Sequence, residues 1–157
     1  MIDSHAFRSA LGRFASGVTV ITAVDPGGND HGMTASAFCS VSLDPPLVLA
    51  CVDDQADMQA ILQTAEHFGV SVLGEEQEAI SRRFAEVEHD RFDGVGYGRG
   101  ATGVALLDGA IVHLECRITT RHRAGDHVIV VGEVLEATAR GARPLIYFRG
   151  GYAALER

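Results

Sequence analysis

Apolar positions along the chain alternate between two periods, and the changes of period outline the elements. Near the N-terminus Phe7, Ala10, Leu11 and Phe14 fall on one face at helical spacing, with Asp3 or Ser4 as cap and Gly17 as the expected stop. Residues 18–24, VTVITAV, are rich in β-branched types and read as a strand. Asp25-Pro26-Gly27-Gly28-Asn29-Asp30 is a turn by composition. GMTASAFCSVSLDPP, residues 32–46, predicts two short strands with a kink, and Pro45-Pro46 separates it from a buried strand at 47–52. A short amphipathic helix is expected over 56–65 with Met58, Ile61 and Leu62 inward. A strand over 68–73 follows, then a helix over 75–85 whose acidic start suits the helix dipole. Residues 86–103 read as loop, with glycines at 94, 96, 98, 100 and 103. Two long strands at 110–121 and 127–138 meet at Arg123-Ala124-Gly125-Asp126, a hairpin signal, and 145–148 reads as a last short strand.

These elements predict a mainly β fold with inserted helices. They lack the regular βαβ alternation of a doubly wound sheet, and a closed or half-closed antiparallel barrel suits them better. At 157 residues, with no internal repeat or linker, the chain is expected to form one domain over 1–157.

Composition narrows the chemistry. The net charge of -8, with no arginine cluster longer than Arg82-Arg83, argues against nucleic-acid binding. The chain has no lysine, which excludes Schiff-base chemistry, a Walker-A lysine and a Ser-Lys dyad. The apolar runs are too short to span a bilayer, and MIDSHAFRSALGRF has no signal-peptide core, so a cytoplasmic protein is expected. Cys39, Cys51 and Cys116 are odd in number and read as buried free thiols. The seven histidines form no metal-ligand ladder.

Several motifs fail on context. Residues 96–101, GYGRGA, match G-x-G-x-x-A, but no strand feeds the match and no helix follows, so it reads as a flexible loop. Glu75, Glu76, Glu78, Glu86 and Glu88 read as a solvated helix face and its exit. Cys51 lies in an apolar strand, where a thiolate is disfavoured. His127, at a hairpin mouth, is either solvated or presents its ring to a ligand at the barrel rim.

Six pieces in order carry a resemblance over nearly the whole chain: FRSALGRFASGVTVITA, GMTASAFCSVSLDPPLVLACVD, FGVSVL, DRFDGV, AGDHVIVVGEV and PLIYFRGGY. The chain resembles the flavin reductase-like family, the short NAD(P)H:flavin oxidoreductase components of two-component monooxygenases. The resemblance implies an FMN-binding split β-barrel, a Greek-key antiparallel barrel, and a homodimer. It implies hydride transfer from NADH or NADPH to FAD or FMN, with the reduced flavin diffusing to a separate monooxygenase.

By position, the resemblance implies that Thr34, Ala35, Ser36 and Ala37 run beside the isoalloxazine. Ser40, Val41 and Ser42 lie toward the ribityl and phosphate end, and Cys51, Val52 and Asp53 border the groove. Arg91 and Phe92 match a basic-aromatic pair. Gly125, Asp126 and His127 match a G-D-H turn whose histidine lies near the nicotinamide, and Tyr152 matches an aromatic near flavin or nicotinamide. The chain departs from the family at 54–58, where a basic residue, serines and a threonine give way to Asp54-Gln55-Ala56-Asp57-Met58. Asp54 would repel a phosphate there. That leaves backbone N–H groups, Ser40, Ser42 and Arg91 as the expected anchors, an arrangement suited to a flavin that is released.

The residue types fit this chemistry. The flavin carries the hydride chemistry, so no catalytic dyad is required. Small side chains at 35–37 let backbone N–H groups reach ring acceptors and stabilise the charge that develops on reduction. His127 is expected to position the nicotinamide. The competing readings are a flavin carrier of the same fold without reductase activity and a pyridoxamine-phosphate-oxidase-like enzyme. The second calls for a basic pocket that this lysine-free chain lacks.

Overall fold

The computed structural model describes residues 1–156. In chain order the first elements are α1 (Ser4–Leu11), β1 (Ser16–Gly17), β2 (Thr19–Val24), β3 (Asp30–Ala35), β4 (Phe38–Leu43) and β5 (Pro46–Asp53). Then come α2 (Asp57–Thr64), β6 (His67–Val72), α3 (Glu78–Glu86), β7 (Tyr97–Arg99) and β8 (Ala105–Leu107). The chain closes with β9 (Val112–Ala124), β10 (His127–Ala139), β11 (Ile146–Phe148) and β12 (Gly151–Ala153).

The mainly β architecture with three helices is as expected. Seven strands form one antiparallel sheet in the order β3-β2-β6-β9-β10-β5-β4. Its two terminal strands are consecutive in the chain, and only Ser36 and Ala37 separate them. The edges therefore come together and the sheet curls on itself, with no ladder joining β3 to β4 along the seam. Inside the curl, Ile21, Val48, Ala50, Val52, Phe68, Val70, Val128 and Val130 pack with Met58 and Leu62 of α2. A second cluster, Val18, Val20, Leu73, Phe84, Leu107 and Leu145, lies under α3. At Gly32 on β3 an added Cβ would stand 2.6 Å from the Phe84 ring, so only glycine lets α3 approach this closely.

Five local expectations change. Asp3 caps α1 by accepting from the Ala6 N–H, but the helix ends at Gly12, so Phe14 lies beyond it and Gly17 belongs to β1. α1 buries none of its residues, leaving Phe7 and Leu11 each 53% exposed. α3 begins at Glu78, because the Gln77 side chain accepts from the Gly74 N–H and holds the preceding turn. The 96–101 segment is not a flexible loop: Tyr97–Arg99 pairs with Ala105–Leu107, and Arg99 is tied to Asp30 at 2.6 Å. Of the three thiols only Cys116 is buried, while Cys51 is half-buried and Cys39 exposed.

Candidate functional site

The hairpin between β9 and β10 closes with two residues, Gly125 and Asp126. Gly125 has φ +63°, and glycine with positive φ at the first central position is the pattern of a type II′ turn. His127 opens β10 opposite Asp53 at the end of β5. Its ring is half-exposed, and Nδ1 stands 2.7 Å from Asp126 Oδ1. This hydrogen bond holds the Asp126 carboxyl below its ordinary range. An ionised carboxylate can only accept, so Nδ1 carries the hydrogen and Nε2 is left for a ligand.

Opposed residues share a face of a sheet. In register, Val48, Ala50 and Val52 of β5 accompany Val128 and Val130 of β10 on the inner face. Leu49, Cys51, Asp53, His127, Ile129 and Val131 share the outer face, where all but the exposed Asp53 are half-buried. Of the residues expected along the groove, Val52 has its side chain fully buried in the core, and Ala35 is buried there too. Either can meet a groove only through its backbone. Cys51 does face outward, and burial together with the neighbouring Cys39 pushes its thiol pKa up, so it is an inert wall.

Ser36 and Ala37 are exposed where the chain crosses from one sheet edge to the other. The Ala37 carbonyl accepts from the Cys51 N–H at 2.9 Å. Ala37 is thus level with Cys51 and Ile129, two strand spacings or about 10 Å from β10, and His127 stands two residues further along that strand, roughly 12 Å from Ala37. Because β3 and β4 are both edge strands, alternate N–H groups along each have no strand partner.

A bulge interrupts the β4–β5 register between Ser40 and Ser42. Ser40 is opposed to Val48 and Ser42 to Leu47, so the two serines take opposite faces, with Val41 exposed between them. Both lie at the far end of β5 from Asp53 and His127.

Thr34, Arg91 and Phe92 come together at a cleft of about 930 Å³ between β3, residues 55–58 and the loop after α3. Its lining is acid-rich, with Asp30, Asp57, Glu88, Asp90 and Asp93 around Arg91. Arg91 donates from Nε to the Val87 carbonyl and from Nη1 to the Gly32 carbonyl, at 2.5 and 2.8 Å, which fastens the loop to β3. Only its Nη2 has no acceptor among the described residues. Phe92 packs edge-on against Phe84 and Tyr97.

Tyr152 is held at α3, its hydroxyl 2.7 Å from Ser81 Oγ and its ring under Arg82. The Ser81 carbonyl in turn accepts from Thr34 Oγ1 at 2.7 Å. Ser81 therefore joins β3 to the C-terminal strand, a role no sequence motif marked.

At 54–58 the structure adds a partner. Asp54 Oδ2 accepts from Arg123 Nη2 at 2.6 Å, so the charge expected to repel a phosphate is paired. Ala56, the residue before α2, makes no side-chain cap, which leaves the first N–H groups of that helix open beside the cleft.

Comparison with known proteins places the chain. The flavin reductase like domain matches residues 11–156. An NADH-dependent flavin reductase of Rhodococcus sp. is 44% identical over 151 residues, covering 95% of this chain and 85% of that protein. Flavin-dependent monooxygenase, reductase subunit HsaB, of Rhodococcus jostii (strain RHA1) is 36% identical over 156 residues, covering 99% of this chain and 80% of its own. Among solved structures, the NADH:FAD oxidoreductase SgcE6 of Streptomyces globisporus C-1027, in complex with NAD and FAD fragments, superposes with a TM-score of 0.93 at 38% identity. It covers 99% of this chain and 96% of that one.

Proposed function

The chain belongs to the flavin reductase-like domain family, and from that premise we propose where on it the reaction takes place. The enzyme is an NADH-dependent flavin reductase that reduces FAD or FMN for use by a monooxygenase. A flavin held here would supply the acceptor for the nicotinamide hydride. The residues present fit such a ligand. The seam between β3 and β4 offers small side chains at Ser36 and Ala37, unpaired edge N–H groups, and a half-buried apolar floor of Cys51 and Ile129.

In this reading the 34–37 backbone binds the ring edge, and the span of about 10 Å from Ala37 to Ile129 leaves room for a flat tricyclic ring lying across β5, with His127 two residues beyond on β10. His127 offers Nε2 to the nicotinamide carboxamide while Asp126 holds its other nitrogen. Gly125 and Asp53 border the ring without a chemical role. The open N-terminus of α2 and Arg91 Nη2 are the phosphate donors at the Asp53 end of β5, while the Ser42 hydroxyl, with Ser40 and Val41, is a separate donor at the other end of that strand. Thr34, Phe92 and Tyr152 shape the walls from the α3 side.

The split-barrel class, a homodimer and diffusible transfer of reduced flavin complete the reading. The dimer is supported by the apolar face of α1, where Phe7 and Leu11 stay exposed and no residue of the helix is buried. Free thiols suit a cytoplasmic setting.

The observation that carries the site is the half-buried His127 with its ring nitrogen fixed, on the same face as the exposed seam. His127→Ala is expected to raise the KM for NADH roughly tenfold, the scale of one lost hydrogen bond at a desolvated contact, while flavin affinity is kept. Steady-state NADH oxidation with added FAD or FMN measures it. Unchanged kinetics would remove His127 from the site, and no NADH oxidation with either flavin would remove the reductase reading.

A further inference from the structure

We propose that Asp54 and Arg123 form a clamp that sets the position of His127, making both of them positioning residues for the nicotinamide. The inference rests on the reading of His127 as the nicotinamide contact. Asp54 touches the hairpin on both sides of its turn. Its backbone N–H donates to the Asp126 carbonyl at 3.0 Å. Its carboxylate Oδ2 accepts from Arg123 Nη2 at 2.6 Å, on the strand that enters the turn. Asp126 then accepts from His127 Nδ1. A continuous chain of contacts thus runs from Arg123 through Asp54 and Asp126 to the imidazole.

Three further observations support a clamp rather than an incidental surface pair. The Asp54 side chain is only 14% exposed, and its Oδ1 is sealed from solvent with no partner among the described residues. A carboxylate so placed is costly unless a cation faces it, and Arg123 is the cation that does. Next, the Asp126 side chain is 91% exposed and hinges on a glycine of positive φ, so alone it cannot hold a ring still. The bond from Asp54 to the Asp126 carbonyl removes that freedom. Finally, the pair is locally neutral, so it makes no net demand on a ligand's charge and its effect is confined to geometry.

The test uses Asp54→Asn and Arg123→Gln, with His127→Ala as reference and melting temperature as a check on folding. NADH kinetics are measured at saturating flavin, and flavin Kd by fluorescence titration. Each clamp variant is expected to raise KM for NADH roughly three- to tenfold with kcat little changed and flavin Kd unmoved. The double variant should be no worse than the worse single, because both remove one contact. Exchanging the charges, Asp54→Arg with Arg123→Asp, should recover most of the loss.

If His127→Ala raises KM but the clamp variants leave it unchanged, or change flavin Kd instead, the clamp is overturned. If His127→Ala itself has no effect, the underlying reading fails and the clamp falls with it. Should Arg123→Gln fold poorly, Arg123→Lys keeps the charge without the fork and is expected to show an intermediate KM.

Discussion

β5 and β10 carry two surfaces on the same backbone. Val48, Ala50, Val52, Val128 and Val130 are buried in a dry aliphatic core. One residue along, Leu49, Cys51, Asp53, His127 and Ile129 stay partly open on the other face. The inner face tolerates only apolar side chains of fitted volume, because nothing polar there finds a partner. The outer face mixes apolar floor with titratable groups. Core and proposed site are interleaved residue by residue, and a register slip of one position would exchange the two faces.

The largest effect should come from placing a charge on each face in turn. Val52→Asp is expected to lose roughly 4 kcal/mol or more of stability, since a carboxylate in that core has no partner. Ile129→Asp should cost about 1 kcal/mol and instead weaken flavin binding. Denaturant unfolding of both variants checks the contrast, and equal losses would dissolve it.

A smaller effect separates the thiols. Burial pushes the Cys116 thiol up to about 12, so no thiolate forms there near neutrality. A thiol reagent should modify Cys39 rapidly, Cys51 slowly and Cys116 only after unfolding. Early loss of Cys116 would mean that the core opens more readily than its packing suggests.

The smallest effect concerns pH. Burial raises the Glu115 carboxyl, but hydrogen bonds from the Thr102 hydroxyl and N–H outweigh it and leave its pKa below the ordinary 4.5. A depressed carboxyl contributes stability that is full above its unfolded value and lost as pH falls through the folded one. Glu115→Gln should therefore flatten the stability loss below about pH 4.5. Asp126 is also depressed but sits in solvent, so Asp126→Asn should leave that acid limb unchanged. Melting temperature against pH for both variants tests this.

Much of the fold was legible in the chain. β-branched runs and turn residues located the strands of the large sheet, and Arg123-Ala124-Gly125-Asp126 located the hairpin, although β9 runs on to Ala124 and only Gly125 and Asp126 form the turn. What failed was local. Within GYGRGA, Tyr97–Arg99 pairs with Ala105–Leu107 and Arg99 reaches Asp30, 69 positions away, a contact no periodic pattern records. Val41 bulges out of register, so the serines on either side take opposite faces although their spacing suggests one. Arg91 has the charge of a phosphate anchor, yet two of its three nitrogens go to carbonyls.

The sequence by itself determined the class of fold and the concentration of small residues and hydroxyls at 34–42, which follow from composition and short-range pattern, and the family, which follows from the resemblance of six segments in order. Only the tertiary structure decided which side chains face the groove. Val52 and Cys51 are neighbours of similar polarity, and the alternation of β5 in the curled sheet sends one into the core and the other to the outer face. It also decided the fate of Asp54. In sequence that residue is an unexplained acid where a base was expected, and its partner Arg123 lies two strands away, brought beside it by the pairing of β5 with β10 and β10 with β9.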